Sequence, residues 1–316
     1  MHHPNHQSRS IFGPPRRSRP AGVMAGAVAG VAAVALLTGC ASSTDAGTPD
    51  DGRLEALAAF YPLQFVAERV GGDLVDVTNL TPPAAEPHDL ELSPAQVRSV
   101  GEVDLVLYLE GMQPATDEAV AARAPEHVVD ASAVVDETTG GSVAASGDPH
   151  FWLDPTLLIP VGHAVADELA AVDPDNADAY AAGADALADD LTALDGEMES
   201  GLAACQGATV VTSHEAFGYL ADRYGLEQVG IAGIDPEVEP SPARLRDVRD
   251  VVEQEGVETL FFEVATSSSV TARLANDLGV ATDVLDPLES RVDDGKDYLE
   301  IMRANLAALE SGLACE

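Results

Sequence analysis

Four side chains carry the chemistry this sequence offers most directly. They are His88 in EPHD (86–89), His150 in DPHFWLDP (148–155), His214 in TSHEAF (212–217) and Asp286 in LDPL (285–288). Neutral imidazole is the commonest nitrogen ligand for a borderline metal such as zinc, and a tetrahedral site needs a fourth donor, which a carboxylate supplies. Pro87, Pro149 and Pro287 stand beside three of the four. Proline restricts the backbone next to a donor, and stiffer ligands lose less entropy when an ion arrives. The gaps between the four are 62, 64 and 72 residues, so spacing alone does not bring them together. Taken singly, each histidine also fits a surface or satisfied core position, and Asp286 with Pro287 fits an ordinary turn. His127 opens a strand beside an acid and His163 lies among apolar helical neighbours, so both read as structural.

The elements that must position these residues alternate along the chain. Apolar runs at 54–60, 74–79, 105–109 and 127–129 predict strands. Stretches 62–70, 94–100 and 114–123 predict helices, each opening with proline at the favoured first position. After Pro155 come nearly fifty residues of Ala, Leu, Asp and Glu. The one strong break is at Asp173-Pro174, a good N-cap followed by a good first residue, which predicts helices at 155–171 and 174–203. Strands then resume at 208–212, 228–231, 259–263 and 281–285, with helices at 215–223, 242–255, 268–278 and 295–312; Thr212 and Glu215 have capping-box spacing. Such repetition implies an α/β fold of two lobes, each a parallel sheet covered by helices, joined by helix. Ligands of such sheets sit off the carboxyl ends of the strands, which is where His88, His214 and Asp286 fall.

Composition narrows the function. Lys and Arg total 16 against 54 Asp plus Glu, a formal net charge of -38. A polyanion of that size repels phosphate backbones, which excludes nucleic acid as a partner. Lys296 is the only lysine and no GxxxxGK[ST] loop occurs, so ATP hydrolysis by that route is excluded as well.

The first forty residues read as an address. Arg9, Arg16, Arg17 and Arg19 precede an uncharged run from Ala21 to Leu37, too short and too weakly hydrophobic for a good membrane span. Leu37-Thr38-Gly39-Cys40 resembles the bacterial lipoprotein signal box, in which the cysteine thiol takes a diacylglycerol; an ordinary secretory signal is the alternative. The resemblance implies a lipoprotein signal peptide at 1–39 and a flexible tether at 40–52. A first α/β lobe at 53–154, a helical connector at 155–203 and a second α/β lobe at 204–316 follow. With Cys40 lipidated, Cys205 and Cys315 remain in an oxidising exterior, where a pair normally forms a bridge; two free thiols are the alternative.

A larger resemblance unites the four donors. EPHDLELSPAQ (86–96), DPHFWLDP (148–155), TSHEAFGYLADRYGL (212–226), EPSPARL (239–245) and LDPL (285–288) resemble, in order, the zinc/manganese solute-binding lipoproteins of bacterial ABC importers. The resemblance implies two α/β lobes with parallel sheets, a long connecting helix, and one metal in the cleft between lobes. The ligands would be His88 and His150 from the first lobe, with His214 and Asp286 from the second. Glu263, at a strand end, would orient a ligand or close a cap. Residues 131–147 contain no histidine, unlike the His-rich loop of many zinc-specific members. Three histidines with one aspartate favour Zn2+ over Mn2+ on ligand softness and the Irving–Williams order. The implied role is that of a monomeric, non-enzymatic receptor on the outer face of the cytoplasmic membrane, lipid-anchored through Cys40. It would hand Zn2+ to an ABC permease with a separate cytoplasmic ATPase. The alternatives are the same role for Mn2+ or Fe2+, and a zinc hydrolase. Against the hydrolase, no HExxH occurs and a bound Asp286 would fill the open position.

Overall fold

Two four-stranded parallel sheets organise the computed structural model, which describes residues 52–263, 269–293, 295–313 and 315. The expected leader, Cys40 and nearly all of the expected tether lie outside those residues. In the first half the order is β1 (Leu54–Ala58), α1 (Tyr61–Gly71), β2 (Val75–Asn79), α2 (Pro94–Ser99), β3 (Leu105–Tyr108), α3 (Pro114–Arg123), β4 (Val128–Asp130), α4 (Ala131–Thr139) and α5 (Val143–Ser146). Its sheet runs β2-β1-β3-β4. The second half comprises β5 (Thr209–Thr212), α8 (Gly218–Tyr224), β6 (Glu227–Gly230), α9 (Pro242–Glu255), β7 (Thr259–Phe262), α10 (Ser269–Leu278), β8 (Ala281–Val284) and α11 (Tyr298–Gly312). Its sheet, β6-β5-β7-β8, repeats the same order. Central strands such as LVLY in β3 and TLFF in β7 are mostly apolar because helices cover both faces. In each sheet the order reverses beside the first strand, which opens a crevice at that strand's carboxyl end.

The halves are joined by α6 (Pro155–Val172) and α7 (Ala177–Leu202). Tyr180, Ala184, Leu187, Leu191, Leu194, Met198 and Leu202 make a buried stripe along α7, spaced three or four apart as one helix face requires. The stripe packs on α1, α6 and α11, so this helix contacts elements from both halves. The approach to α1 is close: a Cβ at Gly183 would come within 2.5 Å of the Val70 carbonyl oxygen. Among the described residues no helix is long and apolar enough to cross a membrane.

Local signals and tertiary partners disagree at three places. Residues 131–147 form α4 and α5, which the sequence pattern does not predict. Asp130 caps Ser132 N, Gly140 closes α4 in a left-handed conformation, and Ser142 caps Ala145 N. The helix expected at 215 starts at Gly218. The Thr212 hydroxyl donates to the His214 carbonyl (2.6 Å) instead of capping, and Glu215 N donates to Gly233 O (3.0 Å). The last helix starts at Tyr298 rather than 295, because Asp297 and Glu300 form a capping box.

Cys205, just past α7, is bonded to Cys315 beyond α11, with Cα atoms 5.1 Å apart. The bridge closes a 110-residue separation. Cys205→Ser is expected to lower stability by about 2–4 kcal/mol, read as a lower midpoint in thermal unfolding. An unchanged midpoint would show that the bridge adds nothing to the fold.

Candidate metal centre

Each half contributes donors from segments just past its sheet. His88 lies in the loop between β2 and α2, where its backbone N–H donates to Glu86 Oε1 (3.1 Å). His150 precedes a turn at Phe151–Leu153 and is fully buried. Asp148 Oδ1 accepts from His150 N (2.9 Å) and pairs with its Nδ1 (2.7 Å). One carboxylate thus fixes both the backbone and the ring, leaving Nε2 to face the other half.

His214 follows β5 at the crevice between β5 and β7. Its Nδ1 meets Glu263 Oε1 at 2.5 Å, and the same oxygen accepts from Ser213 Oγ. Its carbonyl accepts from Thr212 Oγ1 and from Gln228 Nε2 (3.2 Å). Arg244, from EPSPARL at the start of α9, donates to Gly230 O through Nε (2.9 Å) and Nη2 (2.6 Å), and to Glu215 Oε1 (2.7 Å). The residue next to His214 is therefore tied to the end of β6.

The ring nitrogens converge on Glu289, in the loop between β8 and α11. Its Oε1 lies 2.8 Å from His150 Nε2, 3.2 Å from His214 Nε2 and 3.7 Å from His88 Nε2. A tetrahedral zinc with bonds near 2 Å sets its donors roughly 3.3 Å apart, and the three separations bracket that edge. His88 Nε2 is buried with no hydrogen-bond partner, which leaves it open to an ion or a water. Ligand atoms of His88, His150 and Glu289 all lie within 4.8 Å of one another, and His214 Nε2 lies 3.2 Å from the same Glu289 oxygen; imidazole nitrogen with a carboxylate oxygen suits zinc.

Electrostatics fit a site that trades protons for a cation. Burial opposes charge on His214, yet its hydrogen bonds to Glu263 and Glu289 outweigh that and raise it to about 10. His150 is raised in the same way by Asp148 and Glu289 against its burial. Burial would lift Glu289, but bonds from His150 and His214 hold it well below the usual carboxylate range. Glu86, beside the cluster, is pushed up to about 7 by burial and then by the Glu289 charge.

Asp286, the expected fourth donor, lies outside the group formed by His88, His150 and Glu289. Its Oδ1 accepts from Leu288 N (2.8 Å), its N–H donates to Asn305 Oδ1 (2.8 Å), and its carbonyl accepts from Asn305 Nδ2 (2.7 Å). Burial lifts its carboxyl to about 6. Leu288, at φ 58°, takes a left-handed conformation rare for a branched residue, immediately before Glu289. The sequence signal for Glu289 is only an acid three residues past Asp286. Glu263 holds the His214 ring, one of the two roles expected for it. His127 pairs with Glu168 (2.9 Å) and His163 is exposed on α6; neither is part of the cluster.

Matching parallel sheets, a helical connector and donors from both carboxyl edges define a two-lobed solute-binding protein. The chain belongs to the ZnuA family, described as zinc-uptake complex component A, periplasmic, which it matches over residues 57–312. That family is a transport component, not an enzyme. The high-affinity zinc uptake system protein ZnuA of Bacillus subtilis is 31% identical over 299 residues, covering 88% of this chain and 94% of that protein. The zinc-binding lipoprotein AdcA of Streptococcus pneumoniae is 32% identical over 294 residues, which span 87% of this chain and 58% of that longer protein. Among solved structures, the Zn(II)-bound ZnuA-like domain of S. pneumoniae AdcA superposes with a TM-score of 0.71 at 31% identity, covering 83% of this chain and 99% of that one. The laminin-binding protein Lbp of Streptococcus pyogenes gives 0.73 at 32%, covering 83% and 100%.

Proposed function

We propose that this chain is an extracytoplasmic receptor that captures Zn2+ between its lobes and delivers it to an ABC permease served by a separate ATPase. His88, His150, His214 and Glu289 hold the ion, with Glu289 in the place the sequence assigns to Asp286. Asp148 and Glu263 orient two of the imidazoles, and Asp286 shapes the turn that carries Glu289. Cys40 is the lipid attachment point that keeps the receptor, as a monomer, at the outer face of the cytoplasmic membrane. The observation that supports this most is the approach of three Nε2 atoms to one carboxylate oxygen at distances suited to tetrahedral zinc. Four protein donors leave no open position for an activated water, which argues against a hydrolase.

The test is elemental analysis of the purified soluble domain, followed by zinc and manganese competition on variants. His214→Ala is expected to lose more than ~100-fold in zinc affinity, above the 10–100-fold typical of residues that only orient ligands. His127→Ala and His163→Ala should bind as wild type. Equal losses in all three would place the site elsewhere, and a preference for manganese would change the cargo.

A further inference from the structure

We propose that Trp152 is a positioning residue for metal capture, whose indole N–H holds the Glu289 loop in register with His150. The inference rests on the four-donor reading above. Trp152 is the only tryptophan and is fully buried, two residues beyond His150. Its Nε1 donates to the carbonyl of Pro287 (2.8 Å), and its own carbonyl accepts from the Tyr298 hydroxyl (2.6 Å). Pro287 and Tyr298 bracket the loop between β8 and α11, with Glu289 between them. One residue of the histidine segment therefore holds both ends of the loop that brings the carboxylate.

A buried indole N–H must find some acceptor, so a satisfied bond alone assigns no role. The place of the acceptor does. Pro287 O is two residues from Glu289, and the Trp152 ring meets the His150 ring edge-on with centroids 5.2 Å apart. Phe60 packs against the indole with ring centroids 4.8 Å apart, which restrains the ring. His150 Nε2 and Glu289 Oε1, 2.8 Å apart, are thus linked through one rigid side chain rather than through the whole second lobe. A set rich in imidazole nitrogen with one carboxylate suits zinc and disfavours manganese, which prefers more oxygen donors in octahedral geometry. A loosened loop should admit the larger coordination shell.

The experiment compares zinc and manganese affinities, by competition titration, in four variants. Trp152→Phe keeps a buried ring and removes the N–H. It is expected to lose about tenfold in zinc affinity and to narrow the zinc-to-manganese ratio by a similar factor. Tyr298→Phe should move both quantities in the same direction by less. Leu187→Ala, in the buried stripe of α7, controls for general destabilisation; it should lower the thermal midpoint and leave the metal ratio unchanged. The proposal is overturned if Trp152→Phe and Tyr298→Phe keep the wild-type ratio, or if Leu187→Ala shifts it as much. His214→Ala separates the two readings. If it abolishes zinc binding while the Trp152 variant binds as wild type, the strut alone is rejected; if it binds zinc normally, the four-donor site fails first.

Discussion

Glu289→Ala is expected to weaken zinc binding by at least ~100-fold, while Asp286→Asn should cost less than about tenfold. The asymmetry follows from where each carboxylate points. Glu289 Oε1 is the atom on which three imidazoles converge, and it is the one anionic donor of the set. Without it, a buried dication faces three neutral nitrogens and must keep a water. His150 and His214 also lose the acceptor that pairs their Nε2 atoms. Asp286 is occupied with Leu288 N and Asn305, and an asparagine can still accept from Leu288 N with its amide oxygen. Alanine at 286 would be the wrong probe, because losing the cap would let Leu288 leave its left-handed conformation and carry Glu289 away. A chromophoric chelator in competition reads both constants. A greater loss in Asp286→Asn than in Glu289→Ala would return the fourth position to Asp286.

That pair of acids also marks where sequence reasoning stops. The two parallel sheets are legible because βα alternation is a local pattern, repeated in each half and set off by the long polar-apolar rhythm of α6 and α7. The three imidazoles are legible by residue type and by position past a strand or before a helix. That Glu289 is the carboxylate facing the imidazoles is not legible, because it depends on the turn at 286–288. Asn305, nineteen residues away, clamps Asp286 through both its N–H and its carbonyl, and neither the clamp nor the left-handed Leu288 leaves a trace in LDPLES. The same limit explains α8. Thr212 and Glu215 have the spacing of a capping box, yet Thr212 bonds the His214 carbonyl and Glu215 bonds Arg244, so the ligand loop displaces the helix start. Asp148 stood within a motif read for His150, but its bond to the ring depends on side-chain directions that spacing does not encode. Glu263 was recognisable as a strand-end acid; that it grips Nδ1 of His214 is a tertiary fact.

Zinc affinity should rise with pH across the neutral range, with about one proton expelled from His214 per ion bound at pH 7. His214 is raised to about 10, with Glu263 and Glu289 overcoming its burial, and His150 is raised by Asp148 and Glu289 against the same opposing effect. Before an ion arrives, the His214 ring is therefore charged at pH 7. For His214 the folded value exceeds the unfolded one near ~6.5. The charged ring accordingly stabilises the fold fully below the unfolded value, and that contribution is lost as pH climbs through about 10. Metal capture has the opposite sign. It needs the Nε2 lone pair, while the Nδ1 proton can stay with Glu263 or Asp148, so each bound ion must expel the Nε2 proton. Mass action then gives about a tenfold gain in affinity per pH unit for each proton displaced. Two measurements check this. Calorimetry in buffers of different ionisation enthalpy should count the protons, and the zinc-induced rise in the thermal midpoint should be larger at pH 8 than at pH 5.5. Affinity that stays constant between pH 5 and 8 with no proton released would mean that imidazole nitrogens do not hold the ion.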